Sequence, residues 1–171
     1  MDKSKTVILG SGVSGIGAVK LAQEKGLEIF LSDSKNIKSE TKKLLSKLEV
    51  KYEESGHTEK LIKDSKEIII SPGIDLRSLI KSKPSLKKKK IISEVEFASR
   101  YTNAFIIAVT GTNGKTTTSK LIYHILKNSG FNVGLAGNIG YSFSESIVEN
   151  QFDYYVLEVS SFQLDHIINF K

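Results

Sequence analysis

The sequence predicts an α/β fold, with a Rossmann-like parallel-sheet domain at residues 1–93 and an incomplete P-loop ATPase-type α/β domain at residues 94–171. Two glycine-rich turns carry this prediction, because each follows a short apolar strand and opens a helical pattern. The third observation is that short strands alternate with helices along the rest of the chain, which is typical of parallel sheets. The length of 171 residues fits one ordinary domain or two small ones.

The first unit opens with a strand at Thr6–Leu9, which runs into the Gly-x-Gly-x-x-Gly turn Gly10–Gly15. A helical pattern then continues to Gly26, and the next strand, Leu27–Leu31, is followed closely by Asp33. Strand, glycine turn, helix, strand and acid in this order form a dinucleotide-binding fingerprint. The ligand stays open at this point, because an acid there suits either a nicotinamide ribose or a nucleotide base.

The rest of the first unit repeats the alternation of helices and strands. We predict helices at 36–48, 58–64, 76–83 and 93–101, and strands at 50–53, 67–71 and 91–92. Pro72 and Gly73 end one of these strands at its carboxyl end, where open α/β sheets bind ligands. The run Lys87–Lys90 predicts a solvated loop, and we place the linker between the two units near residues 93–104.

The second unit opens with the apolar strand Phe105–Val109 and the turn Gly111–Thr116, followed by a helix that Gly130 ends. Such a turn directs backbone N–H groups inward, at a helix terminus that favours negative charge. Lys115 adds a positive charge for phosphates, so this is a phosphate-binding loop. Its spacing differs from the usual one, since Val109 stands where a first glycine is expected.

After this loop we predict a strand at 132–135, a helix at 141–149 and a strand at 153–159. Glu158 stands near the end of the last strand, and there an acid can reach the Mg²⁺ that the Thr116 hydroxyl also binds. A capped, solvent-facing glutamate is the alternative. Apolar residues otherwise fill the strand, which favours the metal role.

Composition excludes several classes of protein. The net charge is +6, but no aromatic residues interleave the lysines, so we expect no nucleic-acid partner. There is no cysteine for disulfides or thiol chemistry, no apolar run of membrane-spanning length and no signal-peptide core, and the expected location is the cytoplasm. The three histidines lack metal-ligand spacing, and we treat them as non-catalytic: His57, His124 and His166.

Four stretches of the chain resemble the Mur ligases of bacterial cell-wall synthesis: Gly10–Gly15, Thr110–Thr117, Gly137–Gly140 and Glu158–Leu164. Within that family the resemblance favours the D-glutamate-adding branch. It implies an enzyme that uses ATP and Mg²⁺ and acts on UDP-N-acetylmuramoyl-L-alanine and D-glutamate. A phosphoryl group passes from ATP to the alanine carboxylate, and the D-glutamate amine attacks the resulting acyl phosphate.

The resemblance also implies roles for individual residues. The implied catalytic residues are Lys115, Asn138 and Glu158. The implied ATP ligands are Gly111, Thr112, Asn113, Gly114, Lys115, Thr116 and Thr117. The implied substrate ligands are Gly12, Val13, Ser14, Asp33, Ser34, Lys35, Gly73, Asn138, Ser160 and Gln163. The implied metal ligands are Thr116 and Glu158.

Two other functions remain open at this stage, an NAD-dependent oxidoreductase and a nucleotide-binding module without chemistry. The first follows from the glycine turn and Asp33, although hydride transfer has no use for a Mg-ATP loop. Because members of the family are much longer, we expect the chain to be a fragment that is inactive alone. We expect the second metal site and the D-glutamate site to lie outside it.

Overall fold

Five parallel strands form the first sheet of the described part of the chain. The computed structural model describes residues 5–170. In spatial order the strands are β3 (Lys51–Glu53), β2 (Ile29–Ser32), β1 (Thr6–Leu9), β4 (Glu67–Ile70) and β5 (Lys90–Ser93). The strand order reverses between β1 and β4, and in sheets of this kind a ligand crevice opens at the carboxyl ends beside that point.

Helices cover both faces of this sheet. They are α1 (Val13–Glu24), α2 (Ser39–Lys47), α3 (Glu59–Asp64), α4 (Leu76–Ser82), a 3₁₀ helix (Pro84–Lys88) and α5 (Glu94–Ser99). Alternate residues of β1 enter different cores, because successive strand side chains point to opposite faces. Ile8 packs with residues of α1, α2 and α5, whereas Val7 and Leu9 pack with residues of α3 and the 3₁₀ helix.

Within residues 5–170, the second sheet contains three parallel strands in the order β6 (Phe105–Val109), β8 (Tyr154–Glu158) and β7 (Val133–Gly137). The helices of this unit are α6 (Lys115–Asn128), α7 (Phe143–Glu149) and α8 (Ser161–Leu164). The parallel α/β class and the predicted elements are therefore confirmed, with shifts of a few residues at their ends. The assignment of this unit as an incomplete P-loop ATPase domain stays a prediction.

The predicted solvated loop of lysines is wrong as secondary structure. Lys87 and Lys88 end the 3₁₀ helix, which the fully buried Leu86 holds against the sheet. Lys90 begins β5, because that strand pairs with β4 and aligns Lys90 with Glu67. The sequence shows a run of charges, but the neighbouring strand recruits its last residue into the sheet.

The first half of the region predicted as the linker is a buried helix. The predicted helix at 93–101 is confirmed as α5, and Ser93 caps it by accepting a hydrogen bond from the Glu96 N–H. Val95, Phe97 and Ala98 are buried in a core that also contains Phe143 of the second unit. The two units thus share one hydrophobic core, and the boundary between residues 93 and 94 stays a prediction.

Helices α1 and α7 form the main contact between the two units. A Cβ atom on Gly17 would lie 1.9 Å from the Ser142 hydroxyl oxygen, so only glycine lets these helices approach so closely. Lys20 and Glu145 form an ion pair across the same contact, with 2.5 Å between Nζ and Oε1. The glycine-rich start of α1 therefore also serves the packing of the two units.

Two buried glutamates of α5 contact the second unit. Glu94 accepts a hydrogen bond from the Ser144 N–H through Oε1, whereas its buried Oε2 has no partner among residues 5–170. Glu96 accepts three hydrogen bonds through Oε2. The donors are consecutive backbone N–H groups, those of Ile168, Asn169 and Phe170, at 3.0, 2.9 and 2.9 Å. Burial disfavours the charged form of Glu96, but the three hydrogen bonds outweigh this effect and hold the pKa of Glu96 below its usual value.

No helix formed by residues 5–170 combines the length and the apolar character needed to cross a membrane.

Candidate functional site

A cavity of about 530 Å³ lies at the carboxyl ends of β1, β2 and β4. Five of the predicted substrate ligands line it: Gly12, Asp33, Ser34, Lys35 and Gly73. Val13 and Ser14 stand beside it in the first turn of α1, outside the lining. One crevice therefore contains residues from three segments that the sequence analysis associated with the substrate: the glycine turn, the acid after β2 and the turn after β4.

The glycine turn brings the amino end of α1 against this cavity. A Cβ atom on Gly15 would lie 1.9 Å from the carbonyl oxygen of Gly10, so the helix can meet the turn only through glycine. Gly10 itself has a φ of 96°, a conformation that L side chains rarely adopt. The start of α1 presents unpaired N–H groups and positive dipole charge, which suit a phosphate group.

Asp33 is held by the turn that faces it. Its Oδ2 accepts hydrogen bonds from the Ser11 N–H and hydroxyl, each at 2.6 Å, and Oδ1 accepts one from the Lys35 N–H at 2.8 Å. Burial opposes ionisation, but these hydrogen bonds outweigh it and keep the pKa of Asp33 below its usual value. Asp33 is therefore a carboxylate that also fixes the shape of the glycine turn.

The predicted phosphate loop lies between β6 and α6. Gly114 caps α6 with a φ of 76°, and Gly111 has a φ of 148°, so both glycines occupy conformations that other residues avoid. Lys115 folds back over the loop, and its Nζ donates to the carbonyl oxygens of Gly111 at 2.8 Å and Thr112 at 3.4 Å. The ammonium group thus lies against the backbone of the predicted phosphate loop.

Glu158 is the last residue of β8, the central strand of the second sheet. The strand register aligns it with Val109 on one side and Gly137 on the other. Its side chain accepts from the Thr116 hydroxyl at 2.6 Å through Oε2 and from the Asn138 amide at 3.1 Å through Oε1. Thr116 follows β6, Asn138 follows β7 and Glu158 ends β8, and the sheet brings the three residues together at one carboxyl edge.

The approach of Asn138 to Glu158 depends on the glycine before it. Gly137 has a φ of 104°, and a Cβ atom there would lie 2.3 Å from the Glu158 carbonyl oxygen. The Asn138 N–H donates to that same oxygen at 2.7 Å. The predicted catalytic residues Lys115, Asn138 and Glu158 are thus all located around the phosphate loop.

The oxygens of Thr116 and Glu158 fit a magnesium ion. Mg²⁺ prefers hard oxygen ligands and retains several waters, so it takes only one or two groups from the protein. A hydroxyl and a carboxylate 2.6 Å apart provide two such oxygens beside the predicted phosphate loop. Residues 5–170 contain no cluster of three or more acidic or histidine side chains arranged to hold a metal.

Ser160 and Gln163 contact each other rather than open space. The Gln163 amide oxygen accepts from the Ser160 N–H at 2.9 Å and lies 3.1 Å from the Ser160 hydroxyl, which caps α8. Gln163 is 2% exposed. Their predicted substrate role therefore stays a prediction, and in this structure both side chains support the start of α8.

A groove of about 670 Å³ between α4 and α8 adjoins the first cavity. Gly73, Ile74 and Asp75 line both spaces, and Phe162 and His166 of the second unit form the opposite wall of the groove. The groove thus extends the crevice of the first unit toward the helix that follows Glu158.

The comparison with protein families agrees with both halves of the structure. Residues 5–80 match the family model of the MurD N-terminal domain. Residues 109–171 match that of the Mur ligase middle domain. The chain belongs to the Mur ligase family.

Individual relatives extend this match to nearly the whole chain. A UDP-N-acetylmuramoylalanine--D-glutamate ligase from Bacteroides thetaiotaomicron is 50% identical over 167 residues, which make up 98% of this chain and 38% of that protein. One from Porphyromonas gingivalis is 47% identical over 173 residues, covering 100% of this chain and 38% of that protein. The chain therefore spans about 38% of the length of these curated relatives.

Solved structures agree at the level of the fold. A pseudomurein peptide ligase type C from Methanothermus fervidus is 25% identical, with a TM-score of 0.55, over 92% of this chain and 33% of that one. Both the glycine-turn cavity and the phosphate loop lie within the stretch of this Mur ligase chain that its relatives match.

Sequence reasoning set aside one residue of the cavity, His57. It is 9% exposed, it lines the cavity, and its Nδ1 lies 2.6 Å from the Ser32 hydroxyl. A lone histidine after a short strand carries little information by itself. The available signal was its position, because residues after β3 fall on the same carboxyl edge as Asp33.

Proposed function

We propose that the protein is an ATP-dependent ligase that adds D-glutamate to UDP-N-acetylmuramoyl-L-alanine in peptidoglycan precursor synthesis. The alanine carboxylate attacks the terminal phosphorus of ATP, which gives an acyl phosphate and releases ADP. The amine of D-glutamate then attacks the acyl carbon, phosphate leaves, and the nitrogen loses a proton to give the amide. Because this reaction consumes ATP, we place the protein in the cytoplasm.

The ATP-binding part of the proposal rests on one observation: Thr116, Asn138 and Glu158 lie together beside the predicted phosphate loop. In this proposal the backbone N–H groups of 111–117 bind the phosphates, and Lys115 stabilises the charge of the phosphoryl group during transfer. A bound Mg²⁺ would supply charge neutralisation on the phosphate oxygens. Thr116 and Glu158 would hold it, and Asn138 would keep the Glu158 carboxylate oriented.

The cavity of the first unit supports the UDP half of the proposal. The start of α1, with Gly12, Val13 and Ser14, would bind the diphosphate through backbone N–H groups. Asp33, Ser34 and Lys35 would contact the nucleoside, and Gly73 would leave room for the sugar. The groove toward α8 would lead the alanine carboxylate to Asn138, near Ser160 and Gln163.

The relatives do not favour an NAD-dependent oxidoreductase. The proteins that match nearly the whole chain at 50% and 47% identity are named as D-glutamate ligases. An oxidoreductase also provides no role for the Thr116–Glu158 pair, since hydride transfer does not require Mg-ATP. A binding module without chemistry would leave the phosphate loop intact but would not turn over ATP.

Titration of the full-length protein with UDP, NAD and Mg-ATP separates these functions. We expect UDP and Mg-ATP to bind together at different sites, and NAD to bind neither site with comparable affinity. NAD binding that displaces UDP would contradict the proposal. A matched control is Lys115→Ala, which should weaken Mg-ATP binding while UDP binding is retained.

A further inference from the structure

His57 belongs to a hydrogen-bond network at the cavity of the first unit. Its Nδ1 lies 2.6 Å from the hydroxyl of Ser32, a buried residue at the end of β2. The same hydroxyl lies 2.7 Å from Oε1 of Glu53, at the end of β3. Glu53 also accepts hydrogen bonds from Thr58, from its N–H at 2.8 Å and its hydroxyl at 2.6 Å.

The hydrogens available in this hydrogen-bond network determine which nitrogen of the imidazole ring carries the proton. Ser32 has a single hydroxyl hydrogen, and Glu53 as a carboxylate can only accept. Burial opposes the charge of Glu53, but its hydrogen bonds outweigh burial and keep its pKa below the usual value. The Ser32 hydrogen is therefore directed to Glu53 at 2.7 Å rather than to the more distant carbonyl oxygen of Gly56 at 3.3 Å, and the Ser32 oxygen accepts from the Nδ1–H of His57. In the neutral ring this leaves Nε2 as a bare acceptor.

The Nε2 atom is available to a ligand. It makes no hydrogen bond with any residue in the described range 5–170, and it is not among the buried unpartnered atoms of that range. Because Nδ1 is engaged with buried Ser32, the other edge of the ring is the one that lines the cavity. An accessible acceptor thus stands on the same wall as Asp33.

Asp33 has little acceptor capacity to spare for a ligand. One oxygen receives two hydrogen bonds from Ser11 and the other receives one from Lys35. A nucleoside offers N–H and hydroxyl donors, and each must find an acceptor when it is buried. Asp33 thus keeps one acceptor position on Oδ1, and Nε2 of His57 provides a second acceptor in the cavity.

We propose that His57 is a ligand-binding residue whose Nε2 accepts a hydrogen bond from the nucleoside end of a nucleoside diphosphate. This inference rests on the proposed function, because the ligand of the cavity is taken to be the UDP portion of the substrate. Ser32 and Glu53 act as positioning residues, since they hold the ring in the form that accepts at Nε2.

The proposal implies a dependence of binding on pH. Burial lowers the pKa of His57. The negative charges of Glu53 and Asp33 oppose this shift, whereas the positive charge of Lys83 adds to it. The ring is therefore neutral at pH 7. Protonation below that pKa converts Nε2 from an acceptor into a donor. Affinity for UDP should therefore fall as the pH falls through the pKa of His57, which is below 6.5.

Two substitutions at His57 test the proposal by calorimetric titration of the full-length protein with UDP. His57→Asn keeps a donor near the Ser32 oxygen and removes the acceptor at Nε2, so UDP affinity should fall about tenfold. His57→Gln places an amide oxygen near the position of Nε2 and should recover part of the loss. Both variants should lose the fall in affinity at low pH. His124→Gln, at an exposed site on α6, is the matched control and should bind UDP like the unaltered protein.

Three analogues identify the donor, namely UDP methylated at the imide nitrogen, 2′-deoxy-UDP and 3′-deoxy-UDP. The analogue that lacks the relevant donor should bind with the same affinity to the unaltered protein and to His57→Asn. Equal UDP affinity of these two proteins would overturn the role of His57, and so would a tenfold loss on His57→Asn with all three analogues. Failure of the unaltered protein to bind UDP would instead overturn the proposed function.

Discussion

The hydroxyl of Thr116 donates to Oε2 of Glu158 at 2.6 Å, although Thr116 follows β6 and Glu158 ends β8. Thr116 belongs to the phosphate loop, and Glu158 ends the central strand β8. Parallel pairing of β6 with β8 brings them together, because it aligns Val109 with Glu158. This contact is the basis of the proposed metal site.

Replacing Glu158 with glutamine tests that site. Glu158→Gln retains the size of the side chain but removes its charge, and we expect ATP turnover to fall by roughly 10²–10³-fold. The fall should be partly reversed by raising the Mg²⁺ concentration, while UDP affinity is unchanged. Phosphate release measured across a Mg²⁺ series provides the check, with Glu149→Gln on the exposed end of α7 as the control. Unchanged turnover at low Mg²⁺ would exclude Glu158 as a metal ligand.

Asp33 is expected to support uridine nucleotide binding in two ways, directly and through the glycine turn. Asp33→Ala removes the acceptor of the Ser11 and Lys35 hydrogen bonds, and we expect UDP binding to weaken by about 1–3 kcal/mol. Asp33→Asn should lose less, since one amide oxygen remains. Calorimetric titration with UDP measures both variants. Full affinity in Asp33→Ala would show that the carboxylate serves neither the ligand nor the turn.

Glu94 should make stability depend on pH near neutrality. Burial raises the pKa of Glu94 to about 7, and the nearby Glu145, which pairs with Lys20, adds to the effect. The folded state then binds a proton that the unfolded state has already released, so the free energy of unfolding falls between about pH 4.5 and pH 7. The loss over this range is about 3 kcal/mol.

Glu94→Gln should remove this slope. Denaturant unfolding at pH 5 and pH 8 should show that the variant loses less stability with rising pH than the unaltered protein. Glu96→Gln is the matched control on the same helix. The pKa of Glu96 is held low by three N–H groups, and its contribution to stability is therefore present at pH 5 and above. Parallel pH profiles of Glu94→Gln and the unaltered protein would contradict the assignment.

Local pattern was sufficient to predict the two glycine turns and the residues next to them. Gly10, Gly15, Gly111 and Gly114 occupy positions where the backbone or a close contact requires glycine, and such requirements leave a mark in the sequence. The acids after strands were also predictable, because parallel strands place their carboxyl ends on one edge.

Contacts between distant elements were not predictable from pattern. Strand pairing recruits Lys90 into β5, and the core shared by both units buries residues 93–98 of the segment predicted as a linker. Glu94 and Glu96 look like surface charges in a helical pattern, yet each binds N–H groups of residues far away in the chain. The contact between His57 and Ser32 was not predictable for the same reason, since only the folded sheet brings the two residues together.

One assay tests most directly whether the protein forms an amide bond at the expense of ATP. The full-length protein is given ATP, Mg²⁺ and UDP-N-acetylmuramoyl-L-alanine, and phosphate release and the amide product are measured with and without D-glutamate. We predict that sustained release requires D-glutamate and matches product formation. Lys115→Ala should abolish both while UDP-sugar binding is spared, because Lys115 stabilises the phosphoryl group in transit. D-glutamate-independent turnover, or near-normal activity of Lys115→Ala, would contradict the account.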